Sequence, residues 1–137
     1  MAAFTFPVRV YWEDTDAGGV VYYASYLRFL ERARSEWLRS IGVDQVALLR
    51  DERRQFVVVE ANLKYVRAAR HDDRLVVSAE LDQVFGASVV FRQEICRDGA
   101  DGELVLSAFI RVACLDSDSL KPKPLPRALV SSIRELQ

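Results

Sequence analysis

Tyr26, Phe29, Leu30, Ala33, Trp37, Leu38 and Ile41 recur at the spacing of one face of an α-helix, with charged residues between them. The pattern predicts an amphipathic helix of about four to five turns, starting near Ser25 and stopped by Gly42. An apolar face that includes a tryptophan has to be buried against a partner surface. The rest of the chain offers a sheet. Residues 4–12, 56–66, 74–84, 87–96 and 103–115 are rich in β-branched and aromatic residues or alternate apolar with polar. Asp98-Gly99-Ala100-Asp101-Gly102 punctuates a hairpin. Three long strands in succession predict an antiparallel meander. Residues 121–126 carry three prolines, which excludes regular helix or central strand there. Residues 127–136 read as a short terminal helix. The expected class is therefore α+β, one domain over residues 1–137, with a curved antiparallel sheet wrapped around the long helix.

Charge narrows the function classes. The 19 Lys and Arg residues are balanced by 20 Asp and Glu, so no excess of one sign predicts nucleic-acid or membrane-surface binding. No apolar run approaches the roughly 20 residues of a membrane-spanning helix. The N-terminal stretch has no basic head and reads as no signal peptide. Cys96 and Cys114 fall inside strand-like runs and are expected to be buried free thiols, which points to a reducing, cytoplasmic setting.

The stretch most suggestive of chemistry is Glu13-Asp-Thr-Asp-Ala-Gly-Gly19, an acidic loop between the first strand and the long helix. A helix N-terminus exposes unpaired N–H groups and partial positive charge. Such an end can hold a carboxylate ionised, or receive a carbonyl oxygen as it turns into an oxyanion. Asp14 and Asp16 are thus candidates for a catalytic carboxylate. A purely structural role, capping the helix and shaping the loop, fits the same spacing.

The run Tyr11-Trp-Glu-Asp-Thr-Asp-Ala-Gly-Gly-Val-Val-Tyr-Tyr-Ala-Ser-Tyr-Leu-Arg-Phe-Leu-Glu-Arg-Ala-Arg-Ser-Glu-Trp-Leu38 resembles the signature of the 4-hydroxybenzoyl-CoA thioesterase family. It is most similar to the Tol–Pal-associated acyl-CoA thioesterase branch. Phe56-Val-Val-Val, Lys64-Tyr-Val-Arg-Ala-Ala, Asp73-Arg-Leu-Val-Val and Lys121-Pro-Lys-Pro-Leu-Pro match further segments, so the likeness covers nearly the whole chain. The resemblance implies a hotdog fold and thioester hydrolysis without metal or other cofactor. It assigns the catalytic carboxylate to Asp16 and the oxyanion donor to the backbone N–H of Tyr23. It leaves Asp14 to shape the loop. The branch usually has His at the position of Tyr23, whereas an aromatic residue there matches the 4-hydroxybenzoyl branch. Asp16 either attacks the thioester carbonyl or activates a water.

The resemblance also implies an acyl-CoA substrate with a short-to-medium or aromatic acyl group. It implies paired sheets, hence a dimer or a homotetramer with active sites at the subunit interface. Tyr22, Tyr26, Val57 and Val58 are candidates for the acyl pocket, though each would serve equally as core. Arg67, Arg70, Lys121 and Lys123 are candidates for the phosphates of coenzyme A. Glu31 reads as a helix-surface partner of Arg28 or Arg34. His71, the only histidine, reads as an exposed turn residue, which argues against a His-based triad and against zinc. A hotdog dehydratase would need a pocket histidine. A non-catalytic acyl-CoA-binding scaffold and an acyl carrier protein thioesterase are the other readings.

Overall fold

The computed structural model of the chain describes residues 3–136. Five strands build one antiparallel sheet: β1 (Phe4–Arg9), β2 (Arg54–Tyr65), β3 (Arg74–Val84), β4 (Ser88–Arg97) and β5 (Glu103–Asp116). Their order across the sheet is β1-β3-β4-β5-β2. The predicted meander is β3-β4-β5. β1 returns to pair with β3, Phe4 opposite Ala79 and Val8 opposite Leu75. Pro7 is tolerated because β1 is an edge strand, where one side of the backbone needs no ladder partner. β2 forms the other edge, against β5.

Helix α1 (Ser25–Ser40) packs against β3 and β1 with its predicted face inward. Phe29, Leu30 and Ala33 are fully buried among Leu75, Val77, Ile95, Leu106 and Ile110, and Trp37 meets Phe91 edge-on at 5.5 Å. A polar tie crosses this core. The fully buried Gln93 of β4 donates its amide N–H groups to the carbonyls of Leu30 and Ser78, each at 3.1 Å, and accepts from Arg34 at 2.9 Å. Every strong hydrogen-bonding group on Gln93 is used, as burial demands. α3 (Arg127–Leu136) covers one end of the core with Leu129 and Ile133. Cys96 and Cys114 are free and buried, and burial pushes both thiols up, away from reactive thiolate.

Two elements depart from the sequence expectation. The first strand stops at Arg9, because residues 12–14 curl into a 3-10 turn instead of continuing to Trp12. A second helix, α2 (Gln45–Glu52), was not anticipated. Only Leu48 of it is buried, so its apolar periodicity is faint. Its readable signal is Asp44, whose carboxylate accepts from the N–H groups of Val46 and Ala47 at 3.0 and 3.1 Å as an N-cap.

A bulge at Val58/Glu60 divides β2. Before it, Phe56 and Val58 lie opposite the buried Cys114 and Val112. After it, Ala61, Leu63 and Tyr65 lie opposite the buried Ile110, Ala108 and Leu106. Side chains alternate along a strand, so the extra residue switches the inward set from even to odd numbers.

Candidate active site

The acidic loop folds as a small hairpin. Asp16 N–H donates to the Val20 carbonyl at 2.9 Å, Thr15 pairs with Val21, and Tyr22 N–H donates to the Asp14 carbonyl at 2.9 Å. Gly19 supplies the turn, with φ of +82°. Space around Gly19 is open, so Gly19→Ala is expected to cost only the backbone strain, about 1 kcal/mol. Urea unfolding of the two proteins measures that difference.

The two aspartates occupy opposite environments. Asp14 is 5% exposed, and its Oδ2 accepts from Tyr11 N–H at 2.8 Å. It closes the 3-10 turn, and its carbonyl holds Tyr22, so it shapes the loop. Asp16 is exposed. Its side chain has a single hydrogen bond among the described residues, from Gly18 N–H to Oδ1 at 2.8 Å. The other oxygen, Oδ2, is free to meet a substrate or a water.

The exit of the hairpin leads into the start of α1. Ser25 N–H donates to the Tyr22 carbonyl at 2.8 Å, so helical turning begins before the first residue of α1. Within that turn the Tyr23 and Ala24 N–H groups find no acceptor among the described residues. These are the orphan donors of a helix start. They stand where the helix dipole is positive. The Tyr23 carbonyl accepts from the Tyr65 hydroxyl at 2.9 Å. Burial, reinforced by Tyr23, pushes the Tyr65 phenol up, which keeps it a donor. Tyr65 therefore fixes the orientation of the peptide beside the orphan amides. Tyr65→Phe is expected to lower kcat about three- to tenfold, the equivalent of one lost neutral hydrogen bond. Steady-state kinetics checks it.

The remaining candidate residues fall into three places. Tyr22 and Tyr23 are exposed beside the loop, with ring centroids 4.8 Å apart. Tyr26 is core: its hydroxyl accepts from Ala69 N–H at 3.1 Å, and its ring meets those of Phe29 and Tyr65 edge-on. Val58 lines a cavity of about 90 Å³ between α1 and β2, with Glu31, Arg34, Ser35, Phe56 and Phe91 among its other walls. Val57 sits next to Val58 on the strand and so on the opposite face of the sheet. Arg67 donates to the Leu104 carbonyl at 2.8 Å and lies 3.7 Å from Glu103. Arg70 pairs through its backbone with Val20, directly beside the loop, and its exposed guanidinium has no partner among the described residues. Lys123 is spent on the Glu52 carbonyl, 2.7 Å away, and on Asp116 at 3.4 Å.

Two side chains differ from expectation. Glu31 accepts from Ser35, one turn on, at 2.9 Å. Arg34 instead turns inward to Gln93, where burial lowers its pKa to about 10, an effect Glu31 partly offsets. His71 is half-buried, because it stacks on Trp12 with centroids 4.0 Å apart and planes 20° from parallel. It therefore packs against the near end of the acidic loop. Among the described residues no three His, Cys, Asp or Glu side chains converge on a common point. No helix among them is long and apolar enough to cross a membrane.

Comparison with known proteins places the chain in a family and a fold. Residues 10–133 match the family described as the thioesterase-like superfamily. The chain is 44% identical over 135 residues to the acyl-CoA thioesterase YbgC of Haemophilus influenzae, covering 98% of this chain and 96% of that one. It is 45% identical over 132 residues to the acyl-CoA thioester hydrolase YbgC of Escherichia coli, covering 96% of each. In three dimensions it superposes on the crystal structure of a 1,4-dihydroxy-2-naphthoyl-CoA thioesterase from Synechocystis with a TM-score of 0.88, at 26% identity and 98% coverage of both chains.

Proposed function

The chain belongs to the thioesterase-like superfamily, and on that footing we propose that it hydrolyses acyl-coenzyme A thioesters at the acidic loop, with Asp16 as the catalytic carboxylate and the Tyr23 N–H as oxyanion donor. Its fold is the hotdog arrangement of that group, a long helix against an antiparallel sheet. The observation that carries the reading is the hairpin of residues 14–22. One short segment presents a carboxylate with a free oxygen and, at its exit, unpaired amides at a helix start.

The chemistry follows from these two features. The thioester carbonyl oxygen accepts from the Tyr23 N–H, which stabilises the negative charge that develops on attack. In one route Asp16 takes a proton from a water, whose oxygen bonds to the carbonyl carbon. In the other, an Asp16 oxygen attacks, and water then cleaves the mixed anhydride. Both break the carbon–sulfur bond and release the thiolate of coenzyme A, which gains a proton from solvent. Tyr23 offers an amide, and a phenol is a weaker proton shuttle at pH 7 than an imidazole.

The cavity beside Glu31 and Val58, about 90 Å³, is partly open to solvent. A short-to-medium or aromatic acyl group therefore needs further cover. β2 is an open sheet edge with Val58 and Val59 exposed, and open edges of this kind invite pairing. A second copy of the chain docked at β2 would extend the sheet and close the acyl site, giving a dimer or, by further pairing, a homotetramer. Arg70, free beside the loop, suits a phosphate of coenzyme A.

Release of free thiol from a panel of acetyl-, butyryl-, octanoyl- and benzoyl-CoA tests the reading. Turnover of at least one thioester supports it, and no thiol from any of them sinks it. A pre-steady-state burst of thiol marks the route through an acyl-enzyme.

A further inference from the structure

A guanidinium remote in sequence from the acidic loop is wired to it. Residues 14–16 pair with residues 20–22, and residues 20–21 pair in turn with residues 69–70: Val21 N–H donates to the Ala69 carbonyl at 2.8 Å, and Val20 bridges Arg70. The segment 66–73 is thus the strip against which the catalytic hairpin is laid. Backbone hydrogen bonds tie its first residues to the Val105 carbonyl and its last ones to Val10, and Arg97, at the end of β4, adds a charged anchor. Arg97 donates through Nη2 to the Ala68 carbonyl at 2.5 Å. It lies 3.4 Å from Asp73, through Nε, and 3.4 Å from Glu103, through Nη1. Only about a quarter of each of the Arg97 and Asp73 side chains is exposed, so these charges are poorly screened.

The clamp holds both ends of the strip. Ala68 lies one residue before Ala69, the partner of Val21. Asp73 accepts from Arg70 N–H at 2.8 Å through Oδ2, the same oxygen that faces Arg97. The groups converging on Arg97 are therefore two carboxylates and one carbonyl, drawn from the strip and from the start of β5. The Nε N–H is buried and makes no well-aligned hydrogen bond. A planar, forked cation can address three acceptors at once, and an ammonium cannot.

We propose that Arg97 is a positioning residue for Asp16: it fixes the strip of residues 66–73, and through the two backbone pairings it sets where the Asp16 carboxylate stands relative to the Tyr23 amide. The proposal rests on the catalytic role of Asp16 given above. Arg67 also reaches the start of β5, at the Leu104 carbonyl and Glu103, but among the described residues Arg97 alone joins Glu103 to both Asp73 and the Ala68 carbonyl. Misplacement of a reacting group by about 1 Å can cost up to about a hundredfold in rate, so a loose strip should register in turnover before it registers in binding.

The experiment is a double-mutant cycle on kcat for whichever thioester of the panel turns over, with Arg97→Met, Arg97→Lys, Asp73→Asn, Asp16→Asn and the doubles. Asp73→Asn keeps an oxygen for Arg70 N–H while removing the charge that faces Arg97, and it carries the test if Arg97→Met does not fold. Arg97→Met is expected to lower kcat roughly ten- to a hundredfold with KM changed less than about threefold. Asp73→Asn should lower kcat in the same direction by a smaller factor, and Arg97→Lys should recover only part of the loss. In the Asp16→Asn background each of these changes should move kcat by less than about twofold. Equal losses in both backgrounds would overturn the proposal, because they would mean that Arg97 acts on the fold in general. Wild-type kcat in Arg97→Met and Asp73→Asn would overturn it as well. Full activity of Asp16→Asn by itself would instead overturn the catalytic assignment, and this proposal with it.

Discussion

Asp16→Ala is expected to lower kcat for acyl-CoA hydrolysis by about 10²–10⁴-fold, the range a positioned carboxylate base contributes. The loss should fall on kcat, with KM and the melting temperature little changed. Asp16 is exposed, and its side chain makes one local hydrogen bond, to Gly18. Its removal therefore deprives the folded chain of almost nothing. Asp16→Asn sharpens the comparison. The amide oxygen can still accept from Gly18 N–H, so loop geometry is kept while the negative charge and the basic lone pair are lost. Equal loss in the two variants assigns the effect to chemistry. Survival of activity in Asp16→Asn alone would assign it to loop shape.

The second large effect concerns stability. Phe29→Ala is expected to cost about 3–5 kcal/mol, the range for emptying an aromatic site in a packed core. Phe29 is fully buried on α1, and its ring meets Tyr26 edge-on with centroids 6.1 Å apart. At this chain length roughly 3–5 °C of melting temperature accompanies each kcal/mol, so calorimetry should find a drop on the order of 10–20 °C. Activity below the new transition should fall too, since Tyr26 supports Ala69, the acceptor for Val21 in the acidic hairpin. A drop of less than about 5 °C would mean that the core collapses around the vacancy.

Much of this fold is legible before any coordinates. The face Tyr26, Phe29, Leu30, Ala33, Trp37 and Leu38 is buried as its spacing predicts, because only one rotation of the helix satisfies so many large apolar residues at once. Residues 74–84 and 127–136 match their strand and helix without adjustment. α2 escaped because its amphipathic pattern is weak and its cap, Asp44, is one polar residue among several. The first strand is shorter than its sequence suggests: Tyr11 and Trp12 are good strand residues, but the buried Asp14 carboxylate draws Tyr11 N–H into a turn.

The site divides along a similar line. Its catalytic candidates come from one contiguous stretch, and the family likeness read there agrees with the superfamily match. The contributions of Tyr65, Arg97 and the strip around Ala69 could not be read in advance. They depend on hydrogen bonds to backbone carbonyls, and a carbonyl leaves no mark in a sequence. Val57 and Val58 are indistinguishable as letters, and only the register of β2 puts one of them against the cavity.

That register separates two tasks along one strand. The extra residue near Val59 makes β2 a strand of two halves whose inner sides are out of phase. The half with Phe56 and Val58 borders the cavity, while the half ending in Tyr65 braces the helix start. Substitutions in the first half can therefore reshape the cavity without touching the support of the helix start. Loss of that single residue would turn Tyr65 outward and separate the two tasks from the one strand that now serves both.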